Sequence, residues 1–279
     1  MADDNPTLYS LPPYRVRARN TSATSENKIH DDHTAARYGF RGGLVPGVTV
    51  YAYMTVPLVA EFSDAWLERG SMQVRFHQPF YEGEQVIVRA EVDGDSNPFK
   101  IAVRAEREDG EACATGLATI NDLSEWLGAP RLEDYPAHPL PPPEARPSAS
   151  RESIVKGALL GALTERLDLA DSAMLGLIDE RLPVYFGERA VAHPALLLGL
   201  ANQVLMRNFE LGPWIHTASD LINRSAARNG EEISVRGRIK DVFERKGHEF
   251  VTLDLLIVAN DNRVVQQVRH TAIYRIAKR

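Results

Sequence analysis

Within SENKIHDDHTAARYGFRGGLVPG, residues 25–47, Asn27, His30, Asp31 and Asp32 stand together just ahead of a long apolar segment. An imidazole with an ordinary pKa of about 6.5 is mostly neutral near pH 7, so His30 can take a proton from water and return it elsewhere. Asn27 offers both a donor and an acceptor. Gly47 and Val48 open the apolar segment, and the first amides of a helix lack intrahelical partners and favour negative charge. Base and anion cradle are the parts of acid–base chemistry at a polarised carbonyl. The same residues also fit a plainer role. Asp31 or Asp32 would cap a short helix, HTAARY would be its first turns and Gly39 its stop, with Asn27 a turn residue.

Other chemistries find less support nearby. His30 and His33 flank two aspartates, but the spacing matches no recognised ligand set and no Cys/His cluster completes it, so no metal is expected. RGGLVPG lacks the lysine and Ser/Thr of a phosphate-binding loop and reads as a flexible lead-in to the apolar segment. Tyr51 and Tyr53 reach either a pocket or the core. Arg37 and Arg41 are either surface cations or partners for the phosphates of a carrier.

The elements that must hold these residues recur. A proline-rich stretch at 129–150 divides the chain into units 1–128 and 151–279. Sliding one unit along the other by 147 residues aligns Ala23 with Ala170, Ser25 with Ser172, Asp32 with Asp179, Tyr38 with Tyr185, and Phe62 with Phe209. It also lays EGEQVIVRAEV (82–92) over NGEEISVRGRI (229–239). A set of matches in one register points to duplication. Each unit opens with a segment apolar on nearly every face, GVTVYAYMTVPLVAEF (47–62) and PALLLGLANQVLMRNF (194–209). Strand-like runs with short turns follow, which predicts an antiparallel sheet curved around a buried helix, an α+β unit present twice. Pro57 is expected to kink or shorten the first helix.

Composition narrows the class. The 279 residues are 44% hydrophobic with a formal charge of −6, so a substantial core is affordable and no basic surface for nucleic acid is expected. No apolar run approaches the roughly 18 residues of a membrane span, and the acidic, polar start does not look like a signal peptide. With Cys113 alone there is no internal disulfide, and the expected location is the cytoplasm.

The run from Ser25 to Phe40 resembles the signature of the MaoC-like, (R)-specific enoyl-CoA hydratases, G-D-x-N-P-(I/L)-H followed by a short helix and Gly-Phe. Asn27, Ile29, His30, Asp32, Ala35 or Ala36, Gly39 and Phe40 stand in matching places. The resemblance implies a double hotdog fold and a hydratase or dehydratase acting on an enoyl-CoA or 3-hydroxyacyl thioester. The carrier would be CoA or acyl carrier protein, with no further cofactor. His30, Ser25 and Asn27 would be the catalytic positions, and Gly47, Val48 and Tyr51 would bind substrate. Hotdog units pair their sheets edge to edge, so one chain would form a pseudo-dimer, with a homodimer of such chains possible.

The chain departs from that signature in telling places. The catalytic aspartate, five residues before the histidine, falls on Ser25, the proline after Asn falls on Lys28, and the central helix opens with Pro46-Gly47 where the family tends to His-Gly. The second unit keeps His193 but has Met174 and Leu177 in place of Asn27 and His30. A serine hydroxyl cannot replace a carboxylate as a proton carrier. Three routes stay open: His30 makes both proton transfers, Glu26, Asp31 or Asp32 turns inward, or the scaffold serves another reaction. A hotdog thioesterase and a non-catalytic acyl-CoA binding module are the alternatives.

Overall fold

The computed structural model of the chain describes residues 8–96, 99–120, 130–169, 175–176 and 178–277. Its first part holds strands β1 (Leu8–Ser10) and β2 (Tyr14–Arg17), helices α1 (Asp32–Arg37), α2 (Gly47–Phe62) and α3 (Asp64–Arg69), and strands β3 (Gly70–Phe76), β4 (Gln85–Asp93), β5 (Lys100–Glu106) and β6 (Ala112–Ile120). The second holds β7 (Leu159–Arg166), α4 (Pro194–Asn208), β8 (Ile215–Asn223), β9 (Glu232–Arg245), β10 (His248–Ala259) and β11 (Arg263–Arg275). Helices α2 and α4 begin 147 residues apart, as do β4 and β9.

Helix α2 forms because its enclosure removes the need for a polar face. Thr49 to Thr55 are all buried, around the whole circumference of the helix. It packs on β2, β4 and β5, while α4 packs on β7, β9 and β11 and also touches α2. Along β5 exposed and buried residues alternate, with Ile101, Val103 and Ala105 turned inward, the period-2 signature of a sheet with one dry face. Pro57 does not end α2, which continues to Phe62.

One antiparallel sheet of eleven strands runs through both parts in the order β1-β4-β5-β6-β3-β8-β11-β10-β9-β7, with β2 paired to β4. The seam is β3 on β8, from Ser71 opposite Ile222 to Arg75 opposite Ala218. Each part would otherwise present a bare edge there. Residues 130–150 run along the second part: the His138 carbonyl accepts from Ala162, Glu210 from Ala149, and the Tyr135 hydroxyl donates to Asp254.

Enclosure of α2 predicts unequal costs of truncation. Leu58→Ala, at a fully buried position, is expected to lose about 2–5 kcal/mol of stability in urea unfolding, whereas Leu117→Ala, 44% exposed, should stay within about 0.5 kcal/mol. Equal effects would contradict a swallowed helix.

Candidate active site

The segment before α1 turns sharply because two side chains cap it. Asn27 Oδ1 accepts from the Ile29 amide at 3.3 Å as a 3-10 turn forms over Lys28–His30, and Asp31 Oδ1 accepts from Thr34 at 2.8 Å to start α1. Gly39, with φ of 83°, takes the left-handed conformation that ends α1. Asp31 and Gly39 thus play the capping roles, and His30 is free for another.

His30 is held from three directions. Asn20 Nδ2 donates to its carbonyl at 2.8 Å, and the Leu44 amide donates to the Ile29 carbonyl at 3.2 Å. Gly43 packs so closely on the His30 carbonyl that a Cβ there would collide with it, and its amide donates to Asp32 Oδ1 at 2.7 Å. The lead-in to α2 is therefore packed rather than loose. In the ring, Nδ1 lies 2.6 Å from the Leu44 carbonyl, which can only accept, so Nδ1 carries the proton and Nε2 keeps its lone pair. Burial lowers the His30 pKa below the usual imidazole value, with the Leu44 bond opposing in part. The ring is thus a neutral base.

Asn27 ties this loop to the other part of the chain. Its Oδ1 accepts from the Trp214 amide at 3.2 Å and its Nδ2 donates to the Trp214 carbonyl at 3.0 Å, a paired contact across 187 residues. The same Nδ2 lies 3.4 Å from His30 Nε2, a long contact in which the amide donates. Asn27 is a positioning residue that fixes His30 against the second part.

His30 and Gly47 stand on the wall of one cavity of about 290 Å³. The first part contributes Asn27, Phe40, Val45, Val50, Phe76 and Phe80 among others, and the second contributes Asn202, Trp214, Ile215, His216, Thr217, His248 and Ile273. The titratable groups on this wall are all imidazoles: His30, His77, His216 and His248. The first intrahelical bonds of α2 come from Thr49 and Val50, both to the Pro46 carbonyl, and Pro46 offers no capping side chain. Gly47 lines the cavity, and its amide, at the first position of α2, has no intrahelical partner.

Other sequence-predicted residues lie elsewhere. Ser25 is not on the cavity wall; its hydroxyl donates to the Asn27 carbonyl at 3.3 Å. Val48 lines a separate hollow of about 160 Å³ between α2 and α4. Tyr51 is fully buried in the core and does not line the cavity, where Val50 takes the helix's place. Glu26, Asp31 and Asp32 also stand off the wall, Asp31 and Asp32 being engaged in the bonds above. Arg41 pairs with Glu84 and stacks 4.2 Å over the Tyr81 ring, and Arg37 contacts His33 at 2.7 Å. Met174 and Leu177 lie outside the described residues.

Sequence reasoning missed Asn202, Trp214 and His216. No signal marked the last, since IHTASDLIN mixes polar and apolar residues without a clean period. Gly47 was expected to admit a ligand to the backbone, yet a Cβ there would lie 2.9 Å from His216 Nδ1 and 3.2 Å from Phe76 Cε2. The missing side chain makes room for those two rings.

Among solved structures, the chain is similar to a MaoC-like dehydratase at 16% identity, covering 96% of this chain and 97% of that one with a TM-score of 0.62. It is similar to a conserved hypothetical protein of Mycobacterium tuberculosis, essential for survival during infection and described as a double hotdog, at 14% identity, 96% of each chain and a TM-score of 0.66. A candidate thioesterase from Novosphingobium aromaticivorans shares 12% identity over 94% of this chain and 95% of its own, with a TM-score of 0.53. No family model and no curated protein sequence matches the chain. These likenesses establish the fold, α+β and a double hotdog. Among the described residues no helix is long and apolar enough to cross a membrane, and no group of three or more His, Cys, Asp or Glu is arranged for a metal ion.

Two measurements check this geometry. Asn27→Ala leaves the buried amide and carbonyl of Trp214 unpaired and should cost about 2–4 kcal/mol in urea unfolding. A loss under 0.5 kcal/mol would show that Asn27 ties nothing together. The second concerns pH. His30, His193, His216 and His270 all have folded pKa values lowered by burial, that of His270 to about 3. Below about pH 6.5 the unfolded chain binds protons that these rings refuse, so stability is fully present above 6.5 and falls on acidification. The expected slope is about 1.4 kcal/mol per pH unit for each neutral imidazole. An unfolding midpoint that is flat from pH 7.5 to 5 would contradict it.

Proposed function

We propose that this double hotdog chain is an acyl-thioester hydratase or dehydratase in which a single imidazole, His30, makes both proton transfers. The observation that carries this reading is the pairing of a His30 Nε2 lone pair with the unpartnered Gly47 amide on one cavity wall. In the hydration direction Nε2, giving up its long contact with Asn27 Nδ2, takes a proton from water as its oxygen bonds to the β-carbon. The π electrons of the conjugated bond move toward the thioester oxygen, where the amide at the tip of α2 stabilises the charge. His30 then returns the proton to the α-carbon, so water is added across the double bond and the base is restored. Dehydration reverses each step.

Shape supports the reading, since a MaoC-like dehydratase is among the structures of similar fold. The wall composition bears on the alternatives. An aspartate partner for His30 is not required when one imidazole carries the proton both ways, and Ser25 would act only by supporting the Asn27 loop. A thioesterase using Glu26 or Asp32 finds no support, because neither carboxylate lines the cavity. The same reading divides the chain into an N-terminal unit, 1–128, which supplies the base and the helix tip, a linker at 129–150, and a C-terminal unit, 151–279, which supplies the opposing wall. The carrier would be CoA or acyl carrier protein.

Purified protein mixed with crotonyl-CoA should deplete the conjugated enoyl absorbance without releasing free thiol. His30→Ala should reduce kcat/KM by about 10²–10⁴-fold. Release of thiol, or turnover indifferent to His30→Ala, would overturn the reading. Because burial lowers the His30 pKa, the base stays unprotonated below the range of a free imidazole, and the acid limb of kcat/KM is expected below about pH 6.5. A limb at or above pH 7 would exclude His30 as the base.

A further inference from the structure

We infer that His216, from the second half of the chain, is a substrate-contacting hydrogen-bond donor, its Nδ1–H completing with the Gly47 amide the cradle for the thioester oxygen. The inference rests on the acyl-thioester reading above and extends it to a residue outside the signature of the first half. His216 is 7% exposed, lines the cavity, and turns Nδ1 toward Gly47, 2.9 Å from where a Cβ of that residue would stand. That nitrogen is buried and has no hydrogen-bond partner among the described residues. A buried polar atom left in this state costs about 1–3 kcal/mol, which a ligand atom between the two nitrogens would recover.

The rest of the ring is held. Nε2 lies 2.8 Å from the Ser219 hydroxyl, which lies 3.1 Å from His270 Nδ1, and the two imidazoles approach with centroids 4.2 Å apart. The Phe76 ring packs edge-on at 4.8 Å. A serine hydroxyl between two ring nitrogens donates to one and accepts from the other. When it donates to His216 Nε2 and accepts from His270 Nδ1–H, the His216 proton must sit on Nδ1, facing the cavity. Ser219 and His270 thereby accommodate the tautomer in which His216 is a donor, the one the proposal requires.

The same arrangement argues against His216 as a proton carrier. Burial first, and the neighbouring His270 second, push its pKa well below the usual value, against a smaller contribution from the Ala218 backbone. His270, buried behind it, is lowered to about 3. With Nδ1 already protonated, a net proton could be gained only at Nε2, leaving an imidazolium on this buried pair, and one given away from Nδ1 would leave an imidazolate. A neutral ring beside a helix N-terminus acts instead by polarising a carbonyl. Asn202 Oδ1 and Trp214 Nε1, on the same wall, are likewise buried without partners, so the second half offers several unspent polar atoms to a ligand.

The test uses 4-dimethylaminocinnamoyl-CoA, whose absorbance moves to longer wavelength when its thioester carbonyl is polarised, so no turnover is needed. On the wild-type chain the bound probe should be red-shifted. His216→Phe and His216→Leu both remove the donor, so that one poorly folded replacement does not decide the matter. They should still bind the probe but lose most of the shift, and should lower kcat on crotonyl-CoA by about 10²–10³-fold with a smaller change in KM. His216→Asn, which can return an N–H near the Nδ1 position, should restore part of the shift. Failure of the wild type to bind the probe overturns the acyl-thioester reading itself. Binding without a red shift, a shift that survives in the folded Phe or Leu variant, or equal loss in the Asn variant overturns the role of His216 alone.

Discussion

Two helices with no polar face must be enclosed, and the rest of the molecule follows from that constraint. A helix buried from Thr49 to Thr55 around its full circumference cannot lie on a flat sheet with water behind it. It needs sheet on one side and more protein on the other. The second helix provides that, and the sheets of the two parts join through β3 and β8 so that neither leaves an open edge at the seam. The joint has a chemical consequence. It brings the start of β8, with Trp214 and His216, against the tip of α2 and the loop that carries His30. A site built from residues nearly two hundred positions apart is thus a by-product of how the apolar surfaces are covered.

Electrostatically, that site is unusual for a place where protons are expected to move. Among the described residues its wall carries imidazoles and side-chain amides but no carboxylate. A carboxylate beside His30 would raise its pKa and favour the imidazolium, whereas burial alone keeps it neutral. Neutral groups at the positive end of a helix avoid a like-charge penalty and leave the field free to act on negative charge appearing on a ligand. The partners of His30 serve that purpose. The Leu44 carbonyl sets the tautomer from behind, and Asn27, locked to the backbone of Trp214, sets the angle.

Much of this was legible in the sequence and some was not, for identifiable reasons. Helix α2 announced itself by apolar residues on every face, and the runs that became β4, β5, β6, β9, β10 and β11 by their alternation and turn residues. The Asn27–His30 loop was visible because its geometry is local: a cap, a 3-10 turn and a second cap within a few residues. Strands β3 and β8 were not read, although they form the seam, because GSMQVRF and IHTASDLIN mix polar and apolar residues without a clean period. Ser25, Val48 and Tyr51 follow from position along the chain, and the step from one helix residue to the next is enough to carry Tyr51 into the core while Val50 faces the cavity. Pro57 was overweighted as a helix breaker, since the packing that encloses α2 outweighs one missing donor. His216 depends on a contact between halves, and no spacing within either half encodes it.

Among the described residues the two halves also differ at the tips of their buried helices. In the second half the residue before the helix is His193, whose Nδ1 accepts from the Ala195 amide at 3.0 Å, while Nε2 lies 3.3 Å from buried Glu180 and the ring packs against Tyr185 at 4.5 Å. His193 caps the helix, and Glu180 and Tyr185 pack around its ring at the tip. In the first half the same place is Pro46, which has no side-chain acceptor to offer, so the amides behind it remain unspent. A proline at the cap therefore does more than start a helix. By leaving the end of α2 without a side-chain cap it leaves the positive end of that helix at the cavity, opposite a wall supplied by the second half.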